Sequence, residues 1–125
     1  MTERIFLAVV GAAYLLLAVW CSLRPAQTSQ SVGFTLSPGS GQSEYLVVYG
    51  GLELGLGIVF LWPLFDAERS AFALSVCLIL HGCLVLFRSA GFLLYSGIHT
   101  TTYILAVVEW SIFLGAAALT WWRRS

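Results

Sequence analysis

The chain has 125 residues, 59% of them hydrophobic and only 10% charged, with a mean hydropathy of +0.90. Soluble globular domains carry about a quarter charged residues, so most of this surface is built for lipid, and four spans of about 20 residues leave no room for a soluble catalytic domain. Net charge is zero and the six basic residues are all arginines without a basic run, which excludes nucleic acid as a partner.

The first apolar segment runs uncharged from Ile5 to Leu23 behind Arg4. Trp20 and Cys21 stand where a signal-peptide cleavage site needs small residues, so this segment is expected to stay as a first helix over 3–23. Arg24-Pro25 stops it, because a residue before proline is pushed out of helical conformation. The long connection that follows can hold a short surface helix over 25–32, ended by Gly33, and an irregular turn at Ser37-Pro38-Gly39-Ser40-Gly41. Ser43 is read as the N-cap of a second helix over 44–64, with Glu44 favoured there by the helix dipole. Gly51 and Gly55 predict a tight helix contact, since small residues let backbones approach closely in lipid. Trp62-Pro63 ends this span, and Asp66, Glu68 and Arg69 make a polar turn. A third helix is predicted over 70–95, broken by Ser96-Gly97, and a fourth over 100–122.

The fold class is therefore all-α: one domain, 1–125, forming a four-transmembrane-helix bundle. An even number of spans puts both termini on one side with Arg4, Arg69, Arg123 and Arg124, and the positive-inside rule makes that side cytoplasmic. The expected location is the inner membrane, multi-pass. Trp62, Trp121 and Trp122 then belong to one aromatic belt, and Trp20, Tyr45, Tyr95 and Tyr103 to the other.

Ionisable residues inside a span cost about 2.5–3.5 kcal/mol on insertion scales, and they commonly face the bundle interior and mark function or partnership. Glu53, Arg88 and Glu109 are of this kind. At about 1.5 Å rise per residue, Glu53 and Glu109 both lie some 13 Å from one end of their helices, and Arg88 about 10 Å, so the three can meet. Helical spacing agrees. Tyr45, Tyr49 and Glu53 share a face of the second helix, Cys77, His81 and Arg88 a face of the third, and Thr102, Ala106, Glu109, Phe113 and Ala116 a face of the fourth. Two acids and one base leave one carboxyl in excess, so a shared proton is expected. The competing reading is that Arg88 ties both glutamates into a register-setting network.

The expected ligand-binding set is Tyr49, Glu53, His81, Arg88, Glu109 and Phe113. Tyr49, Trp110 and Phe113 can contact a flat lipophilic ligand or stabilise a cation, although packing against core or lipid is the commoner fate of such rings. His81 has Cys77 one turn away but no third convergent ligand, so no metal is expected, and His99 is read as a solvated loop residue. Cys21, Cys77 and Cys83 form an odd set with no C-x-x-C pair, which points to buried thiols rather than a disulfide framework. No cofactor is expected.

Ser43-Glu44-Tyr45 followed by Tyr49-Gly50-Gly51 and Leu54-Gly55-Leu56-Gly57 resembles a family of small bacterial four-helix membrane proteins of unknown function, with a pattern S-E-[FY]-x-x-x-Y-G-G-x-x-L-G-x-G. The resemblance extends to Arg24-Pro25, Gly33-Phe34, Arg88 and a glutamate on the fourth helix. It departs at Leu46-Val47, where a basic residue is expected, and at Gly55-Leu56-Gly57, where the phase is shifted. It implies the four-helix architecture and no activity. Three functions compete. The first is binding of a lipophilic small molecule in a polar intramembrane pocket, with membrane lipid and a second copy of the chain as further partners. The second is an isomerase or cyclase using Glu53 and Glu109 as catalytic acid and base. The third is a structural or assembly subunit, which would have a closed core and direct its glycine face outward.

Overall fold

In lipid every backbone N–H and C=O must be paired within its own segment, so apolar runs become helices and break only where proline or a left-handed glycine interrupts them. A computed structural model describes residues 1–125. It contains four helices long and apolar enough to cross a membrane, Thr2–Leu23, Ser40–Leu64, Ala67–Leu94 and Thr100–Arg124. The chain is a multi-pass membrane protein. We name the helices α1 (Thr2–Leu23), α2 (Pro25–Ser31), α3 (Ser40–Leu64), α4 (Ser70–Leu94) and α5 (Thr100–Arg124).

α1 stops at Leu23, and Pro25 opens α2, as the Arg24-Pro25 pair predicts. α2 is the expected short surface helix: Ala26, Gln27, Gln30 and Ser31 are exposed, and Thr28 and Ser29 form its one buried face. The Thr28 hydroxyl donates to the Arg24 carbonyl at 2.9 Å and accepts from the Tyr45 hydroxyl at 3.0 Å. Tyr45 is therefore a buried strut under the connection and not a belt residue, whereas Trp20, Tyr95 and Tyr103 are exposed as expected. Gly33, at φ +88°, ends the turn after α2.

α3 begins at Ser40, earlier than its apolar pattern suggests, so Ser43 lies within the helix and caps nothing. Gly39, at φ +78°, precedes the first turn, and its N–H donates to Gln42 Oε1 at 3.2 Å. Over Leu46–Leu52 the helix widens to π geometry before returning to α at Glu53, and it tightens to a 3-10 turn at Trp62–Leu64, where Pro63 supplies no N–H. Asp66 caps the next short turn by accepting from the Glu68 N–H at 3.1 Å, and it pairs with Arg69.

α1 packs along α3, and α4 along α5. The α1–α3 crossing is a reciprocal glycine contact: a Cβ on Gly11 would lie 3.1 Å from the Gly57 carbonyl oxygen, and one on Gly57 would lie 3.2 Å from that of Gly11. The Gly51–Gly55 pair, expected to mark a tight helix contact, makes none within the chain, with no atom within 4 Å of either added Cβ. The apolar core of Leu7, Val10, Phe60, Ala73, Leu74, Cys77 and Ala116 occupies the half of the bundle nearer the chain termini. At that end Arg4 Nε donates to the Pro63 carbonyl at 2.8 Å and Arg123 pairs with Glu3 at 3.1 Å, so both termini lie together.

Candidate functional site

The predicted faces of α4 and α5 do turn inward. His81 and Cys77 are buried, and Arg88 and Glu109 are partly so. Arg88 donates from Nε to Glu109 Oε2 at 2.9 Å and from Nη2 to Oε1 at 2.5 Å, a bidentate pair in which Glu109 is the more enclosed, at 13% side-chain exposure against 27%. The planar fork of guanidinium on carboxylate locks α4 to α5 at this level.

Glu53 does not join them. No hydrogen bond reaches its carboxyl, and Oε2 is sealed from solvent without a partner. The three-membered network expected is thus an Arg88–Glu109 pair with one acid left beside it. Tyr49 stacks on Tyr45 with ring centroids 4.4 Å apart, and Phe34 meets both rings edge-on. These three rings pin the connection after α2 to α3. Phe113 sits against Gly82 of α4 and edge-on to Trp110, which is exposed.

His81 is likewise separate. Its Nδ1 lies 2.8 Å from the Cys77 carbonyl, which can only accept, so Nδ1 carries the proton. Nε2 then accepts from the Tyr14 hydroxyl at 3.1 Å. Phe60 packs edge-on against Tyr14 and closes the cluster. Both nitrogens are satisfied and the ring is 1% exposed. No group of three or more His, Cys, Asp or Glu side chains converges anywhere to hold a metal ion.

A cavity lies at the other side of Arg88, toward the end of the bundle remote from the termini. It measures about 560 Å³ and is lined along α4 by Leu84, Phe87, Arg88, Gly91, Phe92 and Tyr95, with Val32 and Gly33, Gly97 to His99, and Thr102 closing its rim. The α4 residues recur at the spacing of one helix face, and from Leu84 to Tyr95 that face runs about 16 Å. Gly33 and Gly97, both at positive φ, shape the rim where the two connections approach each other. Of the predicted ligand set only Arg88 lines this cavity. His99, exposed in the connection before α5 as expected, also stands at its rim. The stripe Leu84, Arg88, Gly91, Tyr95 was visible in the sequence as spacing, but nothing there showed that the connection at Gly33 would fold over it.

Residues 2–122 match the family described as Domain of unknown function (DUF4345). The chain belongs to that family. No curated protein and no solved structure matches it. The DUF4345 match encloses the Arg88–Glu109 pair, Glu53, the Tyr14–His81 cluster and every residue of the cavity.

Proposed function

We propose that this DUF4345 protein binds a lipophilic small molecule in the cavity beside Arg88. The observation that carries the reading is a cavity within the usual ligand-pocket range of about 300–1,000 Å³, with a single charged group in its wall and otherwise lined mostly by apolar and aromatic side chains. Such a site suits a molecule with one polar group and an apolar body. Phe87 and Tyr95 are largely exposed at the cavity's flank, which gives entry from the lipid phase. The location we assign is a bacterial inner membrane with both termini cytoplasmic, since Arg4, Arg69, Arg123 and Arg124 gather at the end that carries the termini.

An isomerase or cyclase would need both glutamates to reach one substrate. Glu109 is held on both oxygens by Arg88, and neither glutamate lines the cavity, so binding without acid–base chemistry ranks first. One observation favours the assembly-subunit reading as second: Gly51 and Gly55 face outward into open space.

The test is native mass spectrometry of the wild-type protein and of Gly91→Leu, each extracted with lipid. Gly91 has no atom within 4 Å of an added Cβ, so a leucine there fills the cavity and leaves the packing alone. The wild type should carry a bound small molecule that a folded Gly91→Leu protein lacks. Equal occupancy of both, or none in either, rejects the cavity as the binding site.

A further inference from the structure

A guanidinium has five N–H donors. In Arg88 one from Nε and one from Nη2 go to Glu109, and Nη1 donates to no atom of the chain. Arg88 lines the cavity and Glu109 does not, so the cavity wall presents free donors while the balancing charge stands behind them. An anion placed on those donors would also feel Glu109 at roughly twice the distance, which by Coulomb's law cancels about half the attraction. The anion would in addition have to shed its hydration at membrane depth. A neutral oxygen bears neither penalty and still gains a charge-assisted hydrogen bond.

Resting on the reading of this cavity as a ligand site, we infer that Arg88 receives a neutral hydrogen-bond acceptor, a carbonyl or ester oxygen, and that its pairing with Glu109 rejects carboxylate and phosphate head groups. The remaining polar tips at the rim, Tyr95, His99 and Thr102, make no side-chain hydrogen bond within the chain and can hold a second polar atom of the same molecule. The lining along α4 accommodates an apolar body about 16 Å long.

Three probes with one tail separate the alternatives: methyl laurate, laurate and dodecyl phosphate. Their binding is measured to the full-length protein in neutral micelles at about pH 8, where a free carboxylic acid is ionised, with Gly91→Leu as the control for partition into the micelle. Methyl laurate should bind the wild type at least about tenfold tighter than either anion, and Gly91→Leu should abolish the difference. In Glu109→Gln, which uncovers the Arg88 charge, the preference should swing toward laurate by about tenfold or more. Anions binding as tightly as the ester, in a manner that Gly91→Leu removes, would overturn the head-group inference and leave the cavity reading standing. Binding of no probe beyond the Gly91→Leu background would overturn both. Should Glu109→Gln fail to fold, the wild-type order of the three probes still decides. Displacement of methyl laurate by a diacylglycerol or by a decyl-substituted benzoquinone tells a lipid ester from a quinone carbonyl as the natural source, and displacement by neither counts against the inference.

Discussion

His81 and Arg88 stand seven residues apart on one helix, and the bundle treats their polar groups in opposite ways. Around His81 every donor meets an acceptor: Tyr14 and the Cys77 carbonyl take both ring nitrogens, and Phe60 seals the cluster. Around Arg88 the pairing stops halfway, with Glu109 on one side, a cavity on the other, and the Glu53 carboxyl unpartnered on the neighbouring helix. The first cluster adjoins the apolar core in the half nearer the termini. The second lies where the connections fold over the helix ends. Complete satisfaction is what a structural polar cluster requires, since a half-paired buried group costs more than an apolar one. Incomplete satisfaction beside a cavity is what a binding site requires.

Removing Arg88 should produce the largest change. In Arg88→Gln the Glu109 carboxylate keeps its enclosed position and loses its counter-charge, and breaking a buried pair from one side costs about 3–5 kcal/mol. The double variant Arg88→Met with Glu109→Leu removes both charges and should recover most of that loss. Reversible unfolding in mixed micelles measures both. A single-variant loss under about 1 kcal/mol would mean that the pair is solvated like a surface ion pair, and the contrast with His81 would then fail.

Tyr14→Phe tests the other side of the comparison. It removes the one donor that reaches His81 Nε2 and leaves that nitrogen buried and unpaired, at a cost of about 1–3 kcal/mol. Retention of the co-purifying molecule should not change, because neither Tyr14 nor His81 lines the cavity. If Tyr14→Phe empties the cavity while the protein stays folded, the two clusters are one site.

The four spans were legible because helix and membrane depth follow from apolar run length, and the ends from Arg24-Pro25, Trp62-Pro63 and Ser96-Gly97. The inward faces of α4 and α5 were legible from helical spacing. Which glycines of α3 touch α1 was left open by the sequence reading, although the information was present. Glu53 turns inward, and at about 100° per residue Gly57 turns with it, while Gly55, two positions on, falls about 200° round on the opposite face. The spacing of four between Gly51 and Gly55 matches a small-residue packing motif, but phase and not spacing decides which neighbour a glycine meets. The cavity was not legible in the same way. Its rim depends on where the Gly33 and Gly97 turns meet, which is a long-range contact between connections and leaves no periodic trace.

The glycines of α3 supply the next contrast. In Gly57→Ala the new Cβ would lie 2.9 Å from Leu15 Cδ2 and 3.2 Å from the Gly11 carbonyl oxygen. The leucine tip can move, but the backbone oxygen cannot without separating α1 from α3. Overpacking of this kind costs about 1–3 kcal/mol, and the unfolding measurement should show it.

Gly51→Ala and Gly55→Ala should have the smallest effect and the opposite sign. Neither Cβ meets an atom of the chain, and alanine improves helix propensity by up to about 1 kcal/mol per position, so the isolated protein should be unchanged or slightly more stable. The same substitutions test the assembly reading, because a methyl group on an outward Gly-x-x-x-Gly face blocks the close backbone approach that such a face permits. If the wild type sediments in micelles as a monomer and both variants match it in mass and stability, that face is covered by lipid. If instead the wild type is a dimer and the variants dissociate, the outward glycines hold a second copy of the chain, and α3 carries two interfaces a half-turn apart: Gly50 and Gly57 toward α1, Gly51 and Gly55 toward the partner.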